Sequence, residues 1–439
     1  MKTFSHSRDC LNACADRIQS TVRGFSPGYW RFFVAAFCMD LGFGLFFFLF
    51  SLYLTDLGFS ELFIGQVVAC LTLGNVAGTI PATFIARRKG LRPLLLVTFA
   101  AVPLVCMLRI LIVWPHAQLA LAFFSGVGLC GWPICFSPTI AALTDERNRA
   151  KGLSIGFAAG IGLGTIAGIV GGHVPEILNH TTLRLPMIDG IRIVLFVSCV
   201  ITALGLVPLR ALSLPHVPPS ERRHVRLFNP FLKRFLPGFL LWNIVTSSFP
   251  VFGAVFLQKS LGMPLGELGV VFSASQFMQF TAVALAPLLF QRLGIAKGVA
   301  VAQLGTALML LLMSRTQTVA LAVSFYLIYF ATQFMCSPGI YSLLMDSVPA
   351  AERSSASAVQ NLSGALCQAG TAALTGIGIV NLGYHKILIV NAIVALLAAL
   401  TFFLLGRRLQ IPVDHGGTSS STGRALAVGT APYAREAVE

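Results

Sequence analysis

The sequence predicts an all-α, polytopic membrane protein with twelve transmembrane helices in two pseudo-symmetric six-helix bundles. Three observations carry that expectation. Of the 439 positions, 56% are hydrophobic and 11% charged, with mean hydropathy +0.81, so nearly all of the length belongs in lipid. The apolar residues fall into about twelve runs, most of them near the roughly 20 residues that a helix needs to cross a bilayer. Landmarks of the first six runs return in the second six at a shift that stays between 200 and 206.

Residues 1–29 are polar and basic, with Lys2, Arg8, Arg17 and Arg23. They lack the continuous apolar core of a signal peptide and suit a short amphipathic helix on the inner surface. The first helix is expected over 30–54. It carries one carboxylate, Asp40, roughly midway, and a charge at that depth faces an aqueous cavity or a partner rather than lipid. A tight turn, TDLGFSE, leads to the second helix over 62–86. A basic loop with Arg87, Arg88, Lys89 and Arg92 follows, then helices over 93–114 and 117–143. The loop TDERNRAK precedes the fifth helix over 152–172, and a longer loop over 173–189 leads to the sixth over 191–212. The polar, Pro-rich stretch 213–232 is the natural linker between halves. Helices are then expected over 235–258, 265–290, 297–313, 318–345, 355–382 and 386–405. The two bundles therefore span 30–212 and 233–408. The Gly/Ser/Thr-rich tail 409–439 is expected to be disordered.

An even number of crossings leaves both termini on one side. Basic residues crowd the even-numbered connections, including Arg147, Arg149, Lys151, Arg222, Arg223, Arg292 and Arg353, and are sparse in the odd-numbered ones. The positive-inside rule then puts both termini and the linker in the cytoplasm and the chain in the cytoplasmic membrane.

The repeat is specific. Arg31 stands nine residues before Asp40, and Arg234 nine before Asn243. Gly65 pairs with Gly269, Arg88-Lys89-Gly90 with Arg292-Leu293-Gly294, and Ser137-Pro138 with Ser337-Pro338. Asp145 pairs with Asp346, and Glu146-Arg147 with Glu352-Arg353.

Several function classes are excluded. Most of the ten cysteines sit in apolar runs, where thiols act as small hydrophobes. No zinc-spaced ligands and no phosphate-binding loop after a strand are present, so neither a metal, a cofactor nor an enzyme is expected. The formal charge of +15 is spread over short loops on one side rather than gathered for nucleic acid.

Other residues invite a role at membrane depth. Arg109 lies about 26 Å past the basic edge of the third helix, near the far face. There it snorkels to headgroups or holds an anionic group in an outer cavity. Glycines 152, 156, 160, 164, 168 and 172 share one face of the fifth helix and let another helix approach closely, so Gly164 and Gly168 are read as a packing seam. Gln360 and Asn361, and Gln276 and Gln279, are polar groups at lipid depth that require interhelical partners or a solute.

Two six-helix halves, a charged central linker and these loops resemble the major facilitator superfamily of secondary transporters. The run Thr83 to Arg92 is similar to its loop between the second and third helices: Arg88, Gly90 and Arg92 fit, while Arg87 stands where the family has Asp. In the fourth helix Gly126-Val-Gly128 is present, but the position of the Arg that the family's antiporters carry ahead of it falls near Ala122; in the fifth, Ala167-Gly168-Ile-Val-Gly171-Gly172 keeps the final glycines of the antiporter Gly-Pro-x-x-Gly-Gly and loses the proline. The resemblance implies alternating access, with the halves rocking around a midplane site lined by the first and fourth helix of each half. Asp40, Trp132, Trp242, Asn243, Tyr329 and Gln333 are then expected to reach that site, with Gln360 and Asn361 nearby. Burial favours the neutral form of a carboxylate, which suits Asp40 to reversible proton loading. Asp145 and Arg147, with Asp346 and Arg353, are expected to cap helices and form salt bridges that hold one conformation. The expected activity is outward transport of a small organic solute in exchange for protons, by a monomer that contacts lipid and no nucleic acid. Uptake by proton symport or facilitated diffusion of a sugar-like solute is the alternative, and a receptor, scaffold or lipid flippase on the same fold the others.

Overall fold

Ser26 opens the first crossing: its side chain accepts a hydrogen bond from the Tyr29 backbone N–H at 3.2 Å, and Pro27 fits the first turn, where its missing N–H has no intrahelical partner to lose. The computed structural model describes residues 25–180, 185–214, 230–348 and 353–409. The N-terminal segment, most of the linker and the tail lie outside the described residues. Within them the order is α1 (Pro27–Asp56), α2 (Glu61–Lys89), α3 (Leu91–Leu111), α4 (Pro115–Leu143), α5 (Glu146–His180) and α6 (Met187–Arg210). Then come α7 (Phe231–Leu261), α8 (Leu265–Leu293), α9 (Ile295–Met313) and α10 (Val319–Ser347).

The last helical stretch, Arg353–Leu409, runs for 57 residues. A straight helix of that length would measure about 85 Å, nearly three times the roughly 30 Å of a bilayer's hydrocarbon core. It is two crossings. Gly383 takes φ 79° and ψ 164° and turns the chain between α11 (353–382) and α12 (384–409). Eleven helical stretches are long and apolar enough to span a membrane, and with this division the crossings number twelve among the described residues. α5 is longer than expected. It continues through Pro175 to His180, so residues 173–180 are helix and not loop.

The ends of the bundle differ. Gly90 and Gly294, at φ 87° and 78°, turn the chain on the face that holds the basic loops. The Asp56–Glu61 turn, the α7–α8 turn and Gly383 lie on the far face. The two halves meet along α5 with α8 and along α2 with α11. A Cβ on Gly168 would stand 2.7 Å from the Gly269 carbonyl oxygen, and one on Gly65 2.5 Å from that of Ala372. A Cβ on Gly172 would meet the Leu265 carbonyl, and one on Gly376 that of Glu61. These contacts map onto one another at a shift of 204, so the sequence repeat is also a repeat of packing.

The seam is closed towards the far face. Towards the far face, Gly164, Gly168 and Gly172 abut Gln276, Ser273 and Gly269 of the other half. Towards the basic face, Gly152 and Gly156 abut Tyr29, Thr144, Phe136 and Ile140 of their own half. Polar ties reinforce the far end. Lys259 pairs with Glu61 at 2.8 Å, the Tyr384 hydroxyl donates to Glu61 at 3.2 Å, Gln258 donates to Asp56 at 3.4 Å, and the Gly266 N–H donates to Glu176 at 2.6 Å.

Gly168→Leu therefore forces a branched side chain into backbone of the opposite half. Overpacking of this kind costs about 1–3 kcal/mol. A thermal unfolding midpoint several degrees below wild type in detergent is the expected readout, and an unchanged midpoint would mean that the halves are not in contact there.

Candidate functional site

Between the halves lies a cavity of about 470 Å³, within the range of small-molecule sites. Its wall is mostly apolar and rich in phenylalanine. Phe43, Phe47 and Phe50 come from α1, Phe272 from α8, and Tyr326 and Phe330 from α10. The polar groups are few: Asp40 towards one end, Arg109 and Ser125 towards the other, and Ser51, Ser275, Gln276 and Gln279 elsewhere in the wall.

Asp40 sits on α1 where α5 comes closest. A Cβ on Gly160 would stand 3.1 Å from its Oδ2, so a larger residue there would press the carboxylate aside by a few tenths of an ångström. The Trp132 indole N–H donates to it from α4. Trp132 is itself half-buried and held by the rings of Phe32, Phe99 and Phe136 at 6.0, 5.7 and 5.2 Å. The second half repeats this arrangement without the charge. Asn243 on α7 lies against α11, and a Cβ on Gly364 would stand 3.3 Å from its Oδ1. Its Nδ2 donates to the Phe239 carbonyl at 2.8 Å, which turns the amide onto its own helix. Asp40 and Asn243 are thus equivalent in the repeat, but Asp40 borders the cavity and Asn243 does not.

Arg109 corrects an expectation. It does not snorkel to the far surface. Only 2% of it is exposed, and its guanidinium lies 4.1 Å over the Phe50 ring and 5.7 Å from that of Phe46. Its Nε–H has no hydrogen-bond partner, and among the described residues no carboxylate forms an ion pair with it. An arginine at the helix centre costs about 2.5–3.5 kcal/mol on insertion scales, and Arg109, in the last turn of α3, bears part of that cost. Two cation–π contacts return about 0.5–2 kcal/mol each, so the rings offset much of that cost and leave a donor unused.

Other expected site residues fall elsewhere. Trp242, Tyr329, Gln333 and Gln360 are buried inside the C-terminal half and do not border the cavity. Asn361 is exposed on α11. Polarity at the right depth pointed to these positions, but the face of the helix decides, and theirs turn to neighbouring helices. Tyr326 and Phe330, on the same helix as Tyr329, take the cavity wall instead. Phe46, Phe47 and Phe48, consecutive on α1, all border the cavity. Gln276 and Gln279 bond to one another at 2.9 Å and border it too.

The expected gating residues sit at the ends. Arg88 lies 4.3 Å over the Phe84 ring, and Gly90 makes the α2–α3 turn. The Asp145 carbonyl accepts the N–H groups of Asn148 and Arg149 at the start of α5. Asp346 is exposed in the last turn of α10. The side chains of Arg147 and Arg353 lie outside the described residues, as do any bridges they make. Gly164 and Gly168 lie in the contact between halves. No group of three or more metal-ligating side chains occurs among the described residues.

Comparison with known proteins follows this geometry. A sequence model described as the Major Facilitator Superfamily matches residues 32–372. No curated protein matches the chain in sequence. Solved structures share the fold at low identity. The nucleoside transporter NupG aligns at TM-score 0.71 and 13% identity over 87% of this chain and all of its own (100%). The D-xylose-proton symporter aligns at TM-score 0.69 and 17% identity over 85% and 97%. A bacterial homolog of the human lysosomal transporter Spinster, inward-facing and unoccupied, aligns at TM-score 0.68 and 13% identity over 87% and 96%.

Proposed function

The chain belongs to the major facilitator superfamily, and on that premise we propose that it moves a small organic solute across its membrane by alternating access, outward and in exchange for protons carried by Asp40. One observation carries the reading. Among the described residues one carboxylate, Asp40, borders an apolar, Phe-rich cavity between two halves whose seam is closed towards the far face. The positive-inside rule assigns the basic face to the cytoplasm, so the described conformation is sealed outward. Asp40 sits against Gly160, where α5 passes from contacts in its own half to contacts across the seam. Its charge can therefore bias which side of the seam opens, which is what coupling requires.

Uptake with protons is the second reading. It is favoured by the likeness to a D-xylose-proton symporter, which uses the same fold in that sense. Both predict flux in liposomes reconstituted with pure protein under an imposed pH gradient. Solute accumulating on the acidic side is exchange, and solute accumulating on the alkaline side is symport. Absence of solute flux would leave a receptor or scaffold on this fold.

A further inference from the structure

We propose that the cargo is an organic monoanion with an apolar body, held by its carboxylate on Arg109 and Ser125 at the end of the cavity remote from Asp40. The inference rests on the proposed function and names the class of solute. Arg109 is 2% exposed and Ser125 4%. Both border the cavity. The Arg109 Nε–H has no acceptor, and the Ser125 Oγ, though beside the Cys106 thiol, makes no hydrogen bond of good geometry. Both donor atoms are closed to solvent in the described conformation, so a small shift of the wall would offer a guanidinium N–H and a hydroxyl at one end of the cavity to one anionic group.

The rest of the wall describes the rest of the solute. Phe46 and Phe50 fix the guanidinium from one side, and Phe272, Tyr326 and Phe330 line the path beyond. Asp40 lies ten residues from Phe50, or about 15 Å along α1. A carboxylate at the Arg109 end is thus kept well away from the like charge of Asp40, with apolar wall between them. A phosphate monoester, with its second charge, would need more donors than this end supplies. One positive and one neutral donor fit a single negative charge.

The test uses the full chain in detergent and a panel of carboxylates: benzoate, indole-3-acetate, hippurate and octanoate. Each is paired with its neutral amide and its amine, and sodium chloride is run alone. Binding is read as saturable thermal stabilisation. At least one carboxylate should bind, its amide and amine at least tenfold more weakly. Arg109→Gln should weaken the carboxylate at least tenfold and leave the amide unchanged, Arg109→Lys should recover part of the loss, and Ser125→Ala should weaken it several-fold. If Arg109→Gln does not fold, Arg109→Lys and Ser125→Ala carry the comparison.

The proposal is overturned if no carboxylate binds, if amides or amines bind as well, if chloride alone accounts for the stabilisation, or if the variants bind carboxylate as wild type does. Carboxylate bound through Arg109 without flux in liposomes would sink the transport reading and leave this site standing. Proton-coupled flux of a neutral or cationic solute, untouched in Arg109→Lys and Ser125→Ala, would do the reverse.

Discussion

Asp40→Asn protein should fold, bind its solute and let it run down its own gradient, yet fail to concentrate it when a pH difference is imposed. Asn keeps the size of the side chain, leaves an oxygen for the Trp132 indole N–H and still fits beside Gly160. Stability should therefore change by less than about 1 kcal/mol. What disappears is the proton site. For one proton exchanged per solute with the membrane potential held at zero, each pH unit across the membrane sustains about a tenfold solute ratio, and the variant should hold a ratio of one at any pH difference. The expected loss is complete because no second carboxylate borders the cavity among the described residues. The measurement is solute accumulation in proteoliposomes at two imposed pH gradients, beside downhill flux at none. Accumulation that persists in the variant would remove Asp40 from the coupling while leaving the fold and the cavity as described.

The architecture was legible because two strong signals agree. Twelve apolar runs set the crossings, and paired landmarks such as Gly65 with Gly269 set the division into halves. Both survive in the packing, where the same glycines meet the opposite half. Asp40 was legible for a related reason: a charge in a lipid-depth helix is costly enough to mark itself. The cavity wall was not. In a soluble helix the contrast between polar and apolar faces shows which side is buried. In these helices lipid-facing, core-facing and cavity-facing positions are all apolar, so Phe47 and Phe272 carry no mark that sets them apart. Polar residues were the visible substitutes, and Gln333, Gln360 and Tyr329 proved to be buried within one half. Arg109 shows the same limit. Counting residues from the basic loop gives its depth correctly, but depth does not give direction, and α3 turns it inward over Phe50.

The closed far end yields the second large effect. Cysteines replacing Asp56 and Gln258, whose side chains meet at 3.4 Å, should be bridged by a short bifunctional thiol reagent in a background where Cys38, Cys70 and Cys367 are replaced by Ala. Among the described thiols those three are the half-exposed ones; Cys10 and Cys14, outside the described residues, are replaced as well. The bridge holds α1 to α7 on the far face and prevents the seam of Gly168 with Gly269 from opening there. If the halves must part at this face once in every cycle, solute flux falls to the level of empty liposomes, and a reductant that cleaves the reagent restores it. Binding should survive the bridge, because the cavity lies on the basic side of the tie and its walls are unchanged. The single substitutions should do little by comparison, since exposed polar ties contribute only about 0.2–1 kcal/mol each. Full flux through the bridged protein would mean that solute does not pass between these halves, and the cavity between them would then need another explanation. Lost flux together with lost binding would instead point to distortion of the site. The two measurements made on the same bridged sample therefore separate a blocked cycle from a damaged one.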